Sequence, residues 1–323
     1  MMKKRFRVIT TAALAGMLIS GAAGEMASST AHAEQGKAPA VFGAAAPKAV
    51  KSIKQDGITL GVSQAMYDGN YIKVTLQRSG QGLDGGVAEG EFDEKTQDMV
   101  YKKGAIKRIE FLIDGKKIEN IGKNMGERPI AGWSPGSTPD QAEINIVDPS
   151  WLGGQQFTFA NKFKLTVKVT LQGVAKPYTF DLAMQKSAGT PIALKPNLSK
   201  KSGNLTVNFS KLNATSTSTR VQLIEKGLPK NKPSDISYEF VDDQGKVLKL
   251  ISGFGSDQNT KTGDMYNDYV LAPLGKNVKS ITLKAYKPEF EETGATTGAY
   301  KLDENGQIIK HYVKEIEMTV KVK

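Results

Sequence analysis

Phe163-Lys164-Leu165-Thr166-Val167-Lys168-Val169-Thr170-Leu171 alternates apolar and polar residues without a break. Successive side chains of a β-strand point to opposite faces, so Phe163, Leu165, Val167, Val169 and Leu171 share one face and Lys164 and Lys168 the other. The segment is therefore read as a strand with one face in a core and one in water. The same period of two recurs in Ile58, Leu60 and Val62, in Ile72, Val74 and Leu76, and again from Leu205 through Val207 to Phe209. Residues that tolerate positive φ punctuate these runs. Asp68-Gly69, Asp114-Gly115, Asp243-Gln244-Gly245 and Asp303-Glu304-Asn305-Gly306 each read as a hairpin turn. The similarity of residues 109–116 to residues 238–246 suggests one hairpin type used twice. No stretch carries a helical period with caps, so any helix is expected to be a single turn. Strands at this density predict an all-β chain of two tandem immunoglobulin-like β-sandwich domains.

Around that core the N-terminus has a different character. Lys3, Lys4, Arg5 and Arg7 precede an apolar run from Val8 to Gly24, and Ala31-His32-Ala33 has the small-x-small pattern of a signal-peptidase site. Residues 1–33 are thus expected to be a signal peptide, residues 34–50, rich in Ala, Pro, Gly and Lys, a flexible spacer. Residues 51–188 form the first expected sandwich and 203–323 the second. Between them residues 189–202, with Pro191, Pro196 and Gly189, read as a linker. Three Gly-rich insertions, 79–104, 252–265 and 288–300, read as long mobile loops. No later apolar run approaches the ~18 residues of a membrane span, so no transmembrane segment is expected after signal cleavage.

Composition narrows the chemistry. The chain has no cysteine and two histidines, of which His32 falls in the expected signal. His311 alone cannot assemble a histidine metal site or a Ser-His-Asp arrangement without a positioned base, and no nucleophile-elbow pattern surrounds the serines. No cofactor motif, metal site or catalytic set is therefore expected. The whole chain carries 44 Lys and Arg against 33 Asp and Glu; beyond residue 33 the balance is 40 to 32, a charge of +8. A basic exported protein meets anionic wall polymer, phospholipid headgroups or acidic polysaccharide, and its positive field raises the encounter rate. The lysines are dispersed instead of clustered with aromatics, which argues against nucleic acid.

Six residues stand out as candidate ligand contacts. Trp133 and Trp151 bracket a Gly- and Pro-rich region, where exposed indoles could stack on sugar rings, the competing and favoured use being packing in a sandwich core or loop. Lys164 and Lys168 lie on one strand face, and Lys279 and Lys284 on another, suited to an anionic polymer held by many weak contacts. The competing use of such lysines is to block edge-to-edge aggregation. Tyr266, Tyr269, Tyr286, Tyr300 and Tyr312 are dispersed, which favours structural use. Glu89, Glu91, Asp93 and Glu94 cluster in the first insertion and Glu289, Glu291 and Glu292 in the last. Either cluster could supply the paired carboxylates of a glycosidase, or oxygen ligands for Ca²⁺, but neither lies in a motif that would desolvate one acid or matches an EF-hand, and solvated loop charge is the favoured reading.

Gly57-Ile58-Thr59-Leu60, Met66-Tyr67-Asp68-Gly69-Asn70 and Glu110-Phe111-Leu112-Ile113-Asp114-Gly115-Lys116-Lys117-Ile118 resemble the bacterial extracytoplasmic family catalogued as domain of unknown function 4179. Ile236-Ser237-Tyr238-Glu239-Phe240 and Val278-Lys279-Ser280-Ile281-Thr282-Leu283 resemble the domain that usually follows it, so the likeness spans about residues 50–323. The resemblance implies an immunoglobulin-like ectodomain of spore-forming Gram-positive bacteria. Many relatives carry a cytoplasmic anti-sigma-like segment and one transmembrane helix ahead of it, where this chain has a signal peptide. The expectation is a secreted, non-enzymatic binding or sensing module at the cell envelope, with anionic wall polymer as its ligand. The alternatives are an accessory partner of a membrane anti-sigma-like protein, reached by strand addition at a sheet edge, and a glycosidase using the loop carboxylates.

Overall fold

A computed structural model describes residues 51–93, 95–154, 157–229, 234–257, 261–295 and 297–323. The expected signal peptide and spacer lie outside the described residues. Within them the chain is all-β, and every paired strand is antiparallel. Among the described residues the helical content is four three-residue 3₁₀ turns.

In the first half, one sheet runs in the order Lys51–Gln55, Ile58–Tyr67, Ile72–Gly80, Gln141–Val147, Ile130–Pro135. The other runs Tyr178–Gln185, Lys162–Leu171, Ile106–Ile113, Lys116–Lys117. Their inner faces meet in one core, in which Leu60, Val74 and Ile144 of the first sheet join Leu165, Val167 and Phe180 of the second. The period of two explains this: Phe163, Leu165, Val167, Val169 and Leu171 are all buried, while Lys162 and Lys164 are exposed. Each fully buried aliphatic side chain contributes about 1.5–3 kcal/mol, so the alternation alone fixes which way the sheet faces.

In the second half, Ile192–Leu194 and Leu198–Ser202 both pair with Leu205–Ala214, followed across the sheet by Thr219–Lys226, Met265–Leu271 and Leu250–Ser256. The facing sheet is centred on Ser280–Pro288, which pairs with Ser237–Asp242, Lys310–Tyr312 and Met318–Lys321. Val207, Phe209, Leu223, Phe240, Leu283 and Val320 fill the core between them.

Three expectations are corrected. Residues 189–202 are not a free linker: Ala193 pairs with Asn213 and Lys200 with Val207, so the stretch is built into the second half. Pro191 and Pro196 flank the two strands instead of interrupting them. Asp243-Gln244-Gly245 closes only a short hairpin, in which the Asp242 N–H donates to the Lys246 carbonyl at 2.9 Å and the Leu248 N–H to the Phe240 carbonyl at 2.8 Å. The Asp242 carboxylate accepts from the N–H groups of Gln244 and Lys246, and a single bridge joins Val241 to Val247. The chain then crosses to the opposite sheet at Leu250–Ser256. That strand also takes in the start of the 252–265 insertion. Asp114-Gly115, by contrast, is a true tight turn, with φ of +48° and +84° suited to the right-handed twist of its strands.

Candidate functional site

The outer face of the first half's second sheet is cationic. Lys162, Lys164 and Lys168 alternate along one strand, and register places Arg108 opposite Thr170, Glu110 opposite Lys168 and Asp181 opposite Thr166. Lys117, paired with Leu112, extends the same face. Five cations thus share it with two acids. Glu110 is bonded by Lys117 at 3.0 Å and Arg108 at 3.4 Å, and Lys117 leads in holding its carboxyl below the ordinary range. Asp181 is likewise held low, first by the Thr166 hydroxyl and then by Lys164 at 3.8 Å. Lys162 makes no ion pair among the described residues. Lys164 and Lys168 therefore belong to one face with a surplus of three positive charges.

The second expected lysine face is rearranged. Lys279 precedes its strand, and its N–H is held by Asp243. Lys284 does face outward, opposite Glu239. On that face Tyr286 stands directly opposite Tyr312, their rings 6.1 Å apart and edge to face. Lys310 lies 4.8 Å from the Tyr286 ring and Lys284 5.7 Å from the Tyr312 ring. Glu239, nearly buried, accepts from the Tyr312 hydroxyl at 2.7 Å and from the Lys310 ammonium. Burial, followed by the Glu239 hydrogen bond, pushes the Tyr312 hydroxyl up to about 12, so it stays a donor. Sequence reading treated these tyrosines as dispersed because 26 positions separate Tyr286 from Tyr312; the register of two strands brings them together. A Tyr and a Lys at matched parity on both strands were the available signal.

Neither tryptophan is an exposed platform. Trp133, opposite Ile144 in the sheet Ile130–Pro135 / Gln141–Val147, is half-buried against the first core. Trp151 lies between the halves, with Arg220 at 4.8 Å and Lys211 at 5.7 Å from its ring. Its carbonyl accepts from Gln222. Around it the halves are joined by buried polar groups. Arg220 bonds both oxygens of Asp268 within the second half. It also reaches the Asp148 carbonyl at 2.7 Å, the Asp148 carboxylate at 3.4 Å and the Asn70 carbonyl at 3.3 Å in the first. The Asp68 carboxylate accepts from Thr215, Thr217 and Ser218 across the junction, and Asn70 and Asn213 exchange amide hydrogen bonds. Burial alone would push the Arg220 guanidinium down; Asp268 and then Asp148 outweigh it and hold the group above its ordinary range. Tyr71, Val147 and Val270 add an apolar patch to the same junction.

The loop acids are engaged separately. Glu89 accepts from the Gly86 N–H at 2.6 Å, and Asp93 from the Lys95 N–H at 2.9 Å. Glu94 lies outside the described residues. Glu289 is bonded by Lys301 and His311, which hold its carboxyl low, opposite to the raised value a proton-donating acid needs. Among the described residues no group of three or more His, Cys, Asp or Glu is placed to hold a metal. A cavity of about 590 Å³ opens beside the first insertion, where Arg78, tied to Asp140 at 2.7 Å, meets Glu89, Glu91 and Lys102.

No curated protein matches the chain. The crystal structure of the conserved domain protein from Bacillus anthracis superposes with a TM-score of 0.49 at 8% identity, over 84% of this chain and 90% of that one, too distant to bear on function. Residues 192–320, beginning at the first strand of the second half, match the model of a family of unknown function, DUF5643.

Proposed function

We propose that the protein is an exported, non-enzymatic binding module that takes an anionic polymer of the bacterial envelope onto the sheet face bearing Lys162, Lys164, Lys168, Arg108 and Lys117. The carrying observation is that five cations share this solvent-facing sheet with two acids, Glu110 and Asp181. A flat antiparallel sheet places alternate side chains about 7 Å apart along a strand, a repeat that lets successive charges of an extended polyanion be met in turn. Each exposed contact contributes little, and affinity comes from their number. Such binding weakens as salt shortens the screening length from about 10 Å at 0.1 M to about 3 Å at 1 M.

Co-sedimentation of residues 34–323 with purified cell wall, before and after extraction of anionic polymer and across a salt series, tests this. Retention at low salt, release at high salt, and loss on extraction and in the K162E/K164E/K168E variant are expected. Retention indifferent to salt and to the triple reversal overturns it.

A further inference from the structure

The Tyr286–Tyr312 face is chemically unlike the lysine face of the first half, and resting on the binding role proposed above, it specifies the ligand more narrowly. We propose that it is a recognition site for a pyranose ring carrying an anionic group, with Tyr312 supplying the flat apolar surface and Lys284 the countercharge.

Three observations converge on that chemistry. First, Tyr312 is 47% exposed yet fixed in place, its hydroxyl bonded to Glu239 and its ring edge-to-face with Tyr286. An exposed aromatic ring held by a buried acceptor is preorganised, so a ligand stacking on it orders little that is not already ordered. The C–H face of a sugar matches such a ring, which carries a polar tip at its edge. Second, the two lysines are used differently. Lys310 is bonded to Glu239 and covers Tyr286, whereas Lys284 pairs with no carboxylate among the described residues and lies only against the Tyr312 ring. Its ammonium is thus the group available to a ligand anion beside the stacking surface. Third, the face as a whole carries Lys284, Lys310 and Lys321 against Glu239, a surplus of two positive charges. Charge complementarity therefore selects an anionic ring over a neutral one. A bare polyanion would be served by lysines alone, and a neutral glycan would leave Lys284 without a use.

Titration calorimetry of the protein with four probes tests the assignment. Oligogalacturonate and phosphorylated dextran carry a ring and a charge, as carboxylate and as phosphate; dextran carries the ring alone, and polyphosphate the charge alone. Binding of at least one charged-ring probe, at least tenfold tighter than dextran, is expected. Measured in the K162E/K164E/K168E background, which removes the contribution of the lysine face, Y312A and K284Q should each weaken the remaining binding about tenfold. Polyphosphate binding should be insensitive to Y312A. The stronger of the two charged-ring probes identifies the anionic group. No binding of either charged-ring probe by the unaltered protein overturns the proposal, as does binding that Y312A and K284Q leave unchanged. If wall retention depends on the triple lysine variant while Y312A has no effect on any probe, this site fails and the binding role stands. If the unaltered protein is not retained on wall at all, the binding role fails first.

Discussion

Arg220→Ala is expected to be among the most damaging single substitutions in the chain. The side chains of Arg220 and Asp268 are each 1% exposed and that of Asp148 5%, so the guanidinium and both carboxylates it serves are out of water. Removing the cation leaves Asp268 without its bidentate partner and frees the carbonyls of Asn70 and Asp148 from their donor. Breaking a buried pair by deleting one partner costs about 3–5 kcal/mol, much of it the desolvation of the charge left behind. At about 2–4 °C per kcal/mol for a protein of this order of size, the melting temperature should fall by about 6–20 °C. Because Arg220 also spans the junction, calorimetry should show one transition for the unaltered protein and two for R220A, the halves having lost their coupling. Trp151 emission should shift at the first transition, since its ring lies against Arg220. R220M/D268L, which removes the Arg220–Asp268 pair and keeps the volume but leaves the Asp148 carboxylate without its cation, should recover part of the loss. A loss below about 1 kcal/mol in R220A, or a double variant no better than the single, refutes the view of the junction as a charge-paired lock.

Three further substitutions probe local physics. Burial pushes the Glu225 carboxyl up, against the hydrogen bonds from Tyr238 and Asn267 that pull it down. Below the unfolded value of about 4.3 both states hold the proton; above it the unfolded chain releases it first, so this group's contribution is lost as pH rises toward the folded value. The stability of E225Q relative to the unaltered protein should therefore improve between pH 4 and pH 8 in urea unfolding; a difference independent of pH contradicts the assignment. Gly227 and Gly203 both have positive φ, of +81° and +58°, but a Cβ at Gly227 would overlap the Asn204 carbonyl oxygen while one at Gly203 meets nothing. Gly203→Ala should cost about 1–2 kcal/mol from the left-handed backbone alone, and G227A more; equal unfolding midpoints would show that the neighbouring turn yields freely.

The class of fold was legible because burial of one strand face is a local pattern: Phe163 to Leu171 announces its inward residues with no knowledge of the partner strand. The buried residues Ile58, Leu60, Val74 and Leu165 are the ones the alternation picks out. What could not be read was anything set by pairing across distance. Asp242 makes the same turn whether the hairpin it closes is long or short, so residues 243–245 did not reveal that the chain crosses to the other sheet. Pro191 and Pro196 mimic a linker because proline is also tolerated beside the short edge strands that this stretch supplies. Arg220, inside the run Thr219-Arg220-Val221, looks in sequence like one more outward cation on a strand. Its burial depends on Asp148, 72 positions earlier, arriving at the same place. The Gly- and Pro-rich setting of the tryptophans was a poor guide for a related reason: it neither keeps Trp133 out of the strand Ile130–Pro135 nor puts Trp151 in water.

The junction around Arg220 also bears on how the protein would read a polymer. With residues 192–202 woven into the second half and Asp68, Asn70, Asp148 and Arg220 interlocked without slack, the lysine face and the tyrosine face are held like two marks on a ruler. A flexible tether would let both marks find charges on any chain that passed. A fixed spacing makes the second contact either highly favoured or unattainable, according to whether the repeat of the polymer matches it. The molecule would then discriminate by length and periodicity as well as by composition, a selectivity residing in neither face alone.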